Sequence, residues 1–428
     1  MARTAASAGP AWTPATLAVA DEAPLRPNIM APLLLLLPLF GQSFHYVKDL
    51  LPLWAMSKAF PVMSLPLMLV LLRRPLLPMT RQVLITFAWC VLVPSITAIS
   101  YFDQDFFTGI AAQVKMLPLL YYYSFLGLLF VLRPTLKELA MGFLVWGLAT
   151  YVSLILMWAL VPKTWYIDGY AFGSSPLFSA DSRGERIRMP MYFGMITLFY
   201  SYRRYLCGHG ARWLGGALLG VLLTLFVVKT RAMMVGIAGV VALNSFRAAN
   251  PRLRVLLLLL IPLAVAGLFS FTYLDSMFST SASSGFDVRW VTAEKAVEFL
   301  GLTPDRWIFG VGTISPTSQD SLFAFFGHFF FLADITWLGI VFEYGVVGAL
   351  LILLYEVRGL LFYRRLKRQI DDCFLGGLND YIIYVLLISN LYPPTLSPGE
   401  TAIILAIFVY VWFRLRTEAP PTANEAPA

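Results

Sequence analysis

Apolar residues in this chain come in blocks. Stretches at about 29–44, 51–72, 83–100, 111–132, 139–160, 189–202, 213–228, 232–246, 253–274, 334–356, 379–392 and 401–415 are each closed by clusters of Arg, Lys, Pro or Gly. About 20 apolar residues are what a helix needs to cross a bilayer. In hydrocarbon the backbone must satisfy its own hydrogen bonds, so these blocks predict helices even where Pro61, Pro66 and Pro262 interrupt them. The pattern therefore predicts an all-α, polytopic membrane protein with about 12 crossings. Residues 1–28 and 416–428, rich in Ala, Pro and Thr, read as disordered tails, and the first has no apolar core after a basic start as a signal peptide would. Between them the chain divides into helices 1–9 at 29–274, with one larger loop at 161–188, a long loop at 275–333, and helices 10–12 at 334–415. No internal repeat marks an inverted-repeat transporter.

Composition agrees with this division. Of 428 residues, 59% are hydrophobic and 13% charged, about half the charged fraction of soluble domains. Too little polar surface remains to cover one or two cores in water. The cysteines (Cys90, Cys207, Cys373) show no paired spacing, and the histidines (His45, His209, His328) no metal-ligand spacing, so neither a disulfide framework, a metal site nor a cofactor is implied. The net charge of +8 is spread over short loops, which speaks for orientation and against a nucleic-acid partner.

Alternate loops carry Arg73, Arg74 and Arg81; Arg133 and Lys137; Arg203, Arg204 and Arg212; Arg247, Arg252 and Arg254; Arg358, Arg364, Arg365, Lys367 and Arg368; and Arg414 and Arg416. By the positive-inside rule these face the cytoplasm, which puts both termini there too. The two longer exported loops nevertheless hold Arg183, Arg186, Arg188, Arg289, Lys295 and Arg306. Basic residues retained where topology disfavours them have another task. In the second loop, Val291, Val297 and Leu300 recur near helical spacing with Glu294, Lys295 and Glu298 between them, which predicts a short amphipathic helix on the membrane surface. The aromatic run at 323–331 fits headgroup depth or a re-entrant segment.

Several residues around this loop form an ordered set. Arg289 is followed by Gly310-Val311-Gly312, then by Asp334 opening a helix with Glu343, Gly345 and Gly348. Upstream, Lys229-Thr230-Arg231 opens another. The set resembles the O-antigen ligase and Wzy-type polysaccharide polymerase superfamily, whose helix motif runs H-N-x-x-L-x-x-L-x-E-x-G-x-x-G. Asp334 stands where the ligases have His, and in this the chain is most similar to xanthan-type exopolysaccharide polymerases. The resemblance implies a GT-C-like membrane enzyme of the bacterial inner membrane that transfers a glycan from a polyprenyl pyrophosphate to a sugar hydroxyl at the periplasmic face. Its implied partners are the lipid-linked oligosaccharide, the bilayer, and the flippase, chain-length and export proteins of an assembly system. The Asp substitution puts His-based proton transfer in doubt.

Such a transfer needs cations for the departing pyrophosphate and an acceptor for the hydroxyl proton. Arginine suits the first need, because its planar fork binds phosphate oxygens bidentately and stays charged. Asp334 and Arg289 are the candidate catalytic pair. Asp334 is equally eligible as a helix N-cap, and Arg289 as a headgroup anchor. Arg183 (which begins an R-x10-G pattern ending at Gly194), Arg186, Arg188, Arg231, Lys115 and His328 are candidate pyrophosphate-binding residues. Lys58 and Lys115, near exported helix ends, also fit snorkelling, and Arg306 fits the surface. Trp165, Tyr166, Tyr170, Trp290 and Trp307 suit sugar stacking or an interfacial belt. Glu343, nine residues beyond Asp334 and pointing to the opposite face, reads as a buried structural group. Gly345, Gly348 and Ala349 read as a helix-packing face. With charges concentrated on one face, a transferase is favoured over a flippase; within the superfamily, the alternative to a polymerase is a ligase attaching finished glycan to another acceptor.

Overall fold

The computed structural model describes residues 24–45, 47, 50–73, 77–168, 176–181, 184–249, 285–314, 322–327, 330–390 and 398–417. The predicted block at 253–274, residues 1–23 and 418–428 of the predicted tails, Tyr170, Arg183 and His328 lie outside them; the end of the first tail is ordered rather than disordered, since Pro27 and Asn28 already belong to the first helix. The other predicted blocks fall on helices. We label these α1 Pro27–Phe40, α2 Leu51–Met63, α3 Thr80–Phe102, α4 Phe106–Ala112, α5 Tyr121–Leu132, α6 Leu136–Leu160, α7 Tyr192–Leu206, α8 Arg212–Leu223, α9 Arg231–Ala248, α10 Gly285–Leu300, α11 Pro304–Phe309, α12 Leu322–Phe326, α13 Thr336–Lys367, α14 Cys373–Ile388 and α15 Pro398–Thr417. Among the described residues, six helical stretches are long and apolar enough to cross a membrane: Leu51–Leu72, Thr80–Phe102, Val114–Leu132, Leu136–Leu160, Leu332–Lys367 and Pro398–Thr417. The protein is thus a helical, multi-pass membrane protein. The prolines leave their mark: beyond Pro61, α2 gives way at Leu65–Arg73 to a 3-10 helix containing Pro66.

Helices apolar on every side belong in the centre of a bundle. Residues 401–411 of α15 are all buried, as are 121–130 of α5 and 192–202 of α7. By contrast α3 and α6 expose Leu84, Ile85, Leu92, Val152 and Leu156, the outward face expected of lipid contact.

The helix ends are tied where the basic residues cluster. Arg26 grips Glu138 with two donors, Nε to Oε1 at 2.9 Å and Nη2 to Oε2 at 2.7 Å. Glu138 also closes a capping box with Thr135 at the start of α6. Tyr410 at the far end of α15 donates to the Pro134 carbonyl. Arg203 of α7 makes a bidentate pair with the fully buried Asp380 of α14, both contacts 2.6 Å, with Asn244 of α9 bonded to both. Beside them Cys207 and Cys373 meet with sulfurs 2.9 Å apart, both free thiols. Every one of these ties joins ends that the loop charges assign to one side.

Two further expectations change. The loop at 161–188 contains a two-stranded antiparallel hairpin, β1 Phe178–Asp181 and β2 Gly184–Ile187. And α10 forms as predicted but buries a different face: Thr292, Ala296 and Leu300 are inside, while Val297 is exposed. With one face packed on Ile335 and Phe342, α10 docks on protein, leaving Trp290 and Val297 outward.

Candidate functional site

Asp334 lies in a 3-10 turn, Leu332–Ile335, immediately before α13. The N-cap of α13 is Ile335 and no side chain caps it, so the Asp334 carboxylate is not engaged in capping. It faces Arg289 of α10, with Nη2 3.8 Å from Oδ1. The two candidate catalytic residues, 45 positions apart, are therefore neighbours. Arg289 is about half exposed and Asp334 mostly covered, with side-chain accessibilities of 53% and 23%. The link between turn and helix is strained: Thr336, a β-branched residue, has φ 47° and ψ −113°. Gly339 permits the turn to fold back, since a Cβ there would stand 2.1 Å from the Leu332 carbonyl oxygen.

Around this pair the aromatic run builds a small second core. Phe326 stacks on Phe330 at 4.2 Å, and Phe299, Phe330 and Phe342 close around them. This packing gives α10 its seat, and through it Arg289 its position. Arg306, expected on the surface, is instead packed, its guanidinium 4.9 Å from the Tyr101 ring and 5.0 Å from that of Phe299. Trp307 donates to the Gly301 carbonyl.

About two and a half turns beyond its start, α13 is broken. Gly345 has φ 71° and ψ 173°, in a region open only to glycine. Gly345, expected to pack against a neighbouring helix, instead makes the break, while Gly348 lies against Trp89 of α3. A break inside a membrane frees backbone carbonyls that must find donors. They do. Val311 N–H bonds the Phe342 carbonyl at 2.8 Å, Gly312 N–H that of Glu343 at 3.2 Å, and Trp89 Nε1 that of Tyr344 at 3.0 Å. The Gly310-Val311-Gly312 segment is thus the partner of the broken helix, backbone against backbone.

At the break Glu343 is buried but well supplied with donors. Lys115 Nζ is 2.7 Å from Oε2 and Gln113 Nε2 2.9 Å from Oε1, while Tyr344 donates to Gln113. Glu343 is thus the buried hydrogen-bonding group that its position suggested, and Lys115, a candidate phosphate ligand, spends at least one donor on it. Side-chain exposure is 36% for Lys115 and 4% for Glu343. Lys115→Met alone should strand a carboxylate in the bundle and lower stability by about 3 kcal/mol, the low end for a buried pair because the lysine is partly wet. Adding Glu343→Gln should restore most of that loss. Thermal unfolding in detergent reads both, and additive losses would disprove the coupling.

A second cationic group surrounds the hairpin. Arg186 is buried, with Nε 3.1 Å from Asp181 Oδ2 and 3.3 Å from Ser179 Oγ; Arg188 Nε reaches the same hydroxyl at 3.2 Å. The hairpin packs on the π-helical turn Thr224–Val228 that precedes Lys229. Lys229, at φ 51°, is partly buried, and burial lowers its ammonium below the usual lysine range against the opposing effect of Glu185 and Asp181. Arg231 opens α9 as expected. The start of α9 packs on the end of α14 near Gly236, Tyr384 and Ile388, and Trp337 of α13 bonds Ser389 there. The hairpin group and the Arg289–Asp334 pair therefore lie at the same end of the bundle, on either side of α14.

Sequence reasoning missed three acidic groups: Asp380, Glu400 (to which Tyr381 donates) and Glu356. Their apolar flanks offered one available signal, since a charged residue inside a hydrophobic block needs a partner. Among the described residues no cluster of three or more His, Cys, Asp or Glu could hold a metal ion. No protein-family model matches the chain, and no curated protein is similar to it.

Proposed function

We propose that this protein is a glycosyltransferase of about 12 transmembrane helices that polymerises polyprenyl-pyrophosphate-linked oligosaccharide repeats at the periplasmic face of a bacterial inner membrane. The observation that carries this reading is the meeting of Arg289 with an uncapped Asp334 at a helix mouth. In the reaction, the hydroxyl oxygen of the acceptor sugar forms a bond to the anomeric carbon of the donor glycan. The bond from that carbon to the pyrophosphate oxygen breaks, and its electron pair leaves with the polyprenyl pyrophosphate. Asp334 takes the hydroxyl proton. Arg289 stands at the far limit of ion-pair distance from Asp334 and is half exposed, so an incoming pyrophosphate can draw its fork away. The hairpin group (Arg186, Arg188, Lys229 and Arg231) supplies further cations for the pyrophosphate or the glycan carried on it.

A second reading has support of its own. The sequence located charge mainly at one face, yet the fold holds Lys115, Glu343 and Glu356 within long apolar helices and breaks one of them at Gly345. Broken helices and buried ionisable groups also suit a carrier of lipid-linked sugars. Purified protein supplied with lipid-linked repeats in detergent distinguishes the two. A ladder of chain lengths is the expected result. One transferred unit would indicate a ligase, and unchanged substrate would reject transfer in favour of the carrier.

A further inference from the structure

At the end of the bundle opposite Asp334, α13 and α15 emerge with their basic residues. Four of these, Arg358, Arg365, Arg368 and Arg416, line one cavity of about 640 Å³ between the two helices and the Pro78–Met79 turn. Phe362 and Trp412 form its apolar side. Positive-inside charge alone does not ask for this convergence. It asks only that arginines lie on one side, and Arg364 meets that demand without lining the cavity.

Depth argues further. Arg358 precedes Arg365 by seven residues, about 10 Å along the helix axis and deeper toward the bilayer. Its neighbours Leu354 and Leu361 are exposed as lipid-facing residues are. Among the described residues, the hydrogen-bond acceptor it meets is Gln82 of α3, which uses one of five guanidinium N–H groups. At the outer end the Arg416 guanidinium sits over Trp412, 4.1 Å from the ring centre, and Trp412 packs against Phe362. Stacking leaves the edge of a guanidinium, with its paired donors, free to receive an oxyanion. No acidic side chain is among the described lining residues, so four like charges share the cavity and an anion would relieve their repulsion.

We propose that this cavity binds a phosphate group, with Arg365, Arg368 and Arg416 holding its oxygens. The apolar wall and the deep Arg358 fit the headgroup of an anionic phospholipid, whose chains would run along Leu361 and Phe362 and whose second phosphate or ester oxygen would reach Arg358. A soluble phosphate ester would present the same oxyanion to the outer three arginines. This site is independent of the exported one and of the reaction assigned there.

The test uses the full chain, purified in neutral detergent. Cardiolipin, phosphatidylglycerol or phosphatidylcholine is added in one arm and inorganic pyrophosphate in the other, with lipid retention read by native mass spectrometry and melting temperature by thermal scan. The expected result is preferential retention of cardiolipin and phosphatidylglycerol. Affinity should fall about tenfold for each of Arg365→Gln and Arg416→Gln and stay unchanged in Arg364→Gln, a control with the same loss of charge. Stabilisation by pyrophosphate without lipid retention, lost in the same variants, would uphold the phosphate site and assign it a soluble ligand. Equal loss in Arg364→Gln, or no response to either anion, would overturn the proposal. Should Arg416→Gln fold poorly, Arg365→Gln, exposed on the same wall, carries the comparison.

Discussion

Asp334→Asn is expected to leave the amount of protein in the membrane unchanged while polymer disappears and single lipid-linked repeats accumulate. The amide keeps the size and polarity of the side chain but cannot take a proton. Removing a general base costs about 10²- to 10⁴-fold in rate. Little stability should be lost, since the carboxylate caps no helix and its partner Arg289 is half exposed at 3.8 Å. The signature is thus a separation of rate from folding. Arg289→Lys should retain part of the activity and Arg289→Ala very little, because an ammonium supplies the charge without the bidentate fork. Gel analysis of lipid-linked glycans checks both residues together. Polymer of normal length in Asp334→Asn would refute its role.

The opposite signature is expected at the break in α13. Gly345→Ala should abolish the folded protein or lower its stability by about 3 kcal/mol or more. Two independent penalties combine there. The backbone at φ 71° and ψ 173° is closed to a residue with a Cβ, and that Cβ would lie 2.1 Å from the Ile308 carbonyl oxygen. Gly310→Ala should behave in the same way, for its Cβ would meet the Gly345 nitrogen at 2.5 Å from the other side. Gly215→Ala in α8 is the control. Open space surrounds it, and an alanine inside a helix is favoured over glycine by up to about 1 kcal/mol. Membrane-protein yield and melting temperature read all three. Normal melting of Gly345→Ala would mean that the G-V-G segment and the broken helix are not in contact as described.

These expectations draw unequally on sequence and structure. Asp334, Arg289 and the two glycine motifs stood out in the chain because they are local: charges at the edges of apolar blocks and small residues at fixed spacing. Their relation did not. The glycines of 310–312 read as an isolated motif and Gly345 as a packing residue, because nothing in a linear pattern says that one segment's amides will satisfy another's broken helix. The same holds for Lys115, whose partner Glu343 is 228 positions away, and for Arg203, taken as a topological charge, whose carboxylate Asp380 is 177 positions away.

By itself the sequence determined the helical class and the apolar blocks that become the membrane-length helices, because bilayer thickness acts on every 20-residue block separately. Tertiary structure alone decided which charges are spent on one another and which face an open space. That choice depends on how helices distant in the chain pack, and only packing brings Asp334 to Arg289, Glu343 to Lys115, and four arginines around one cavity.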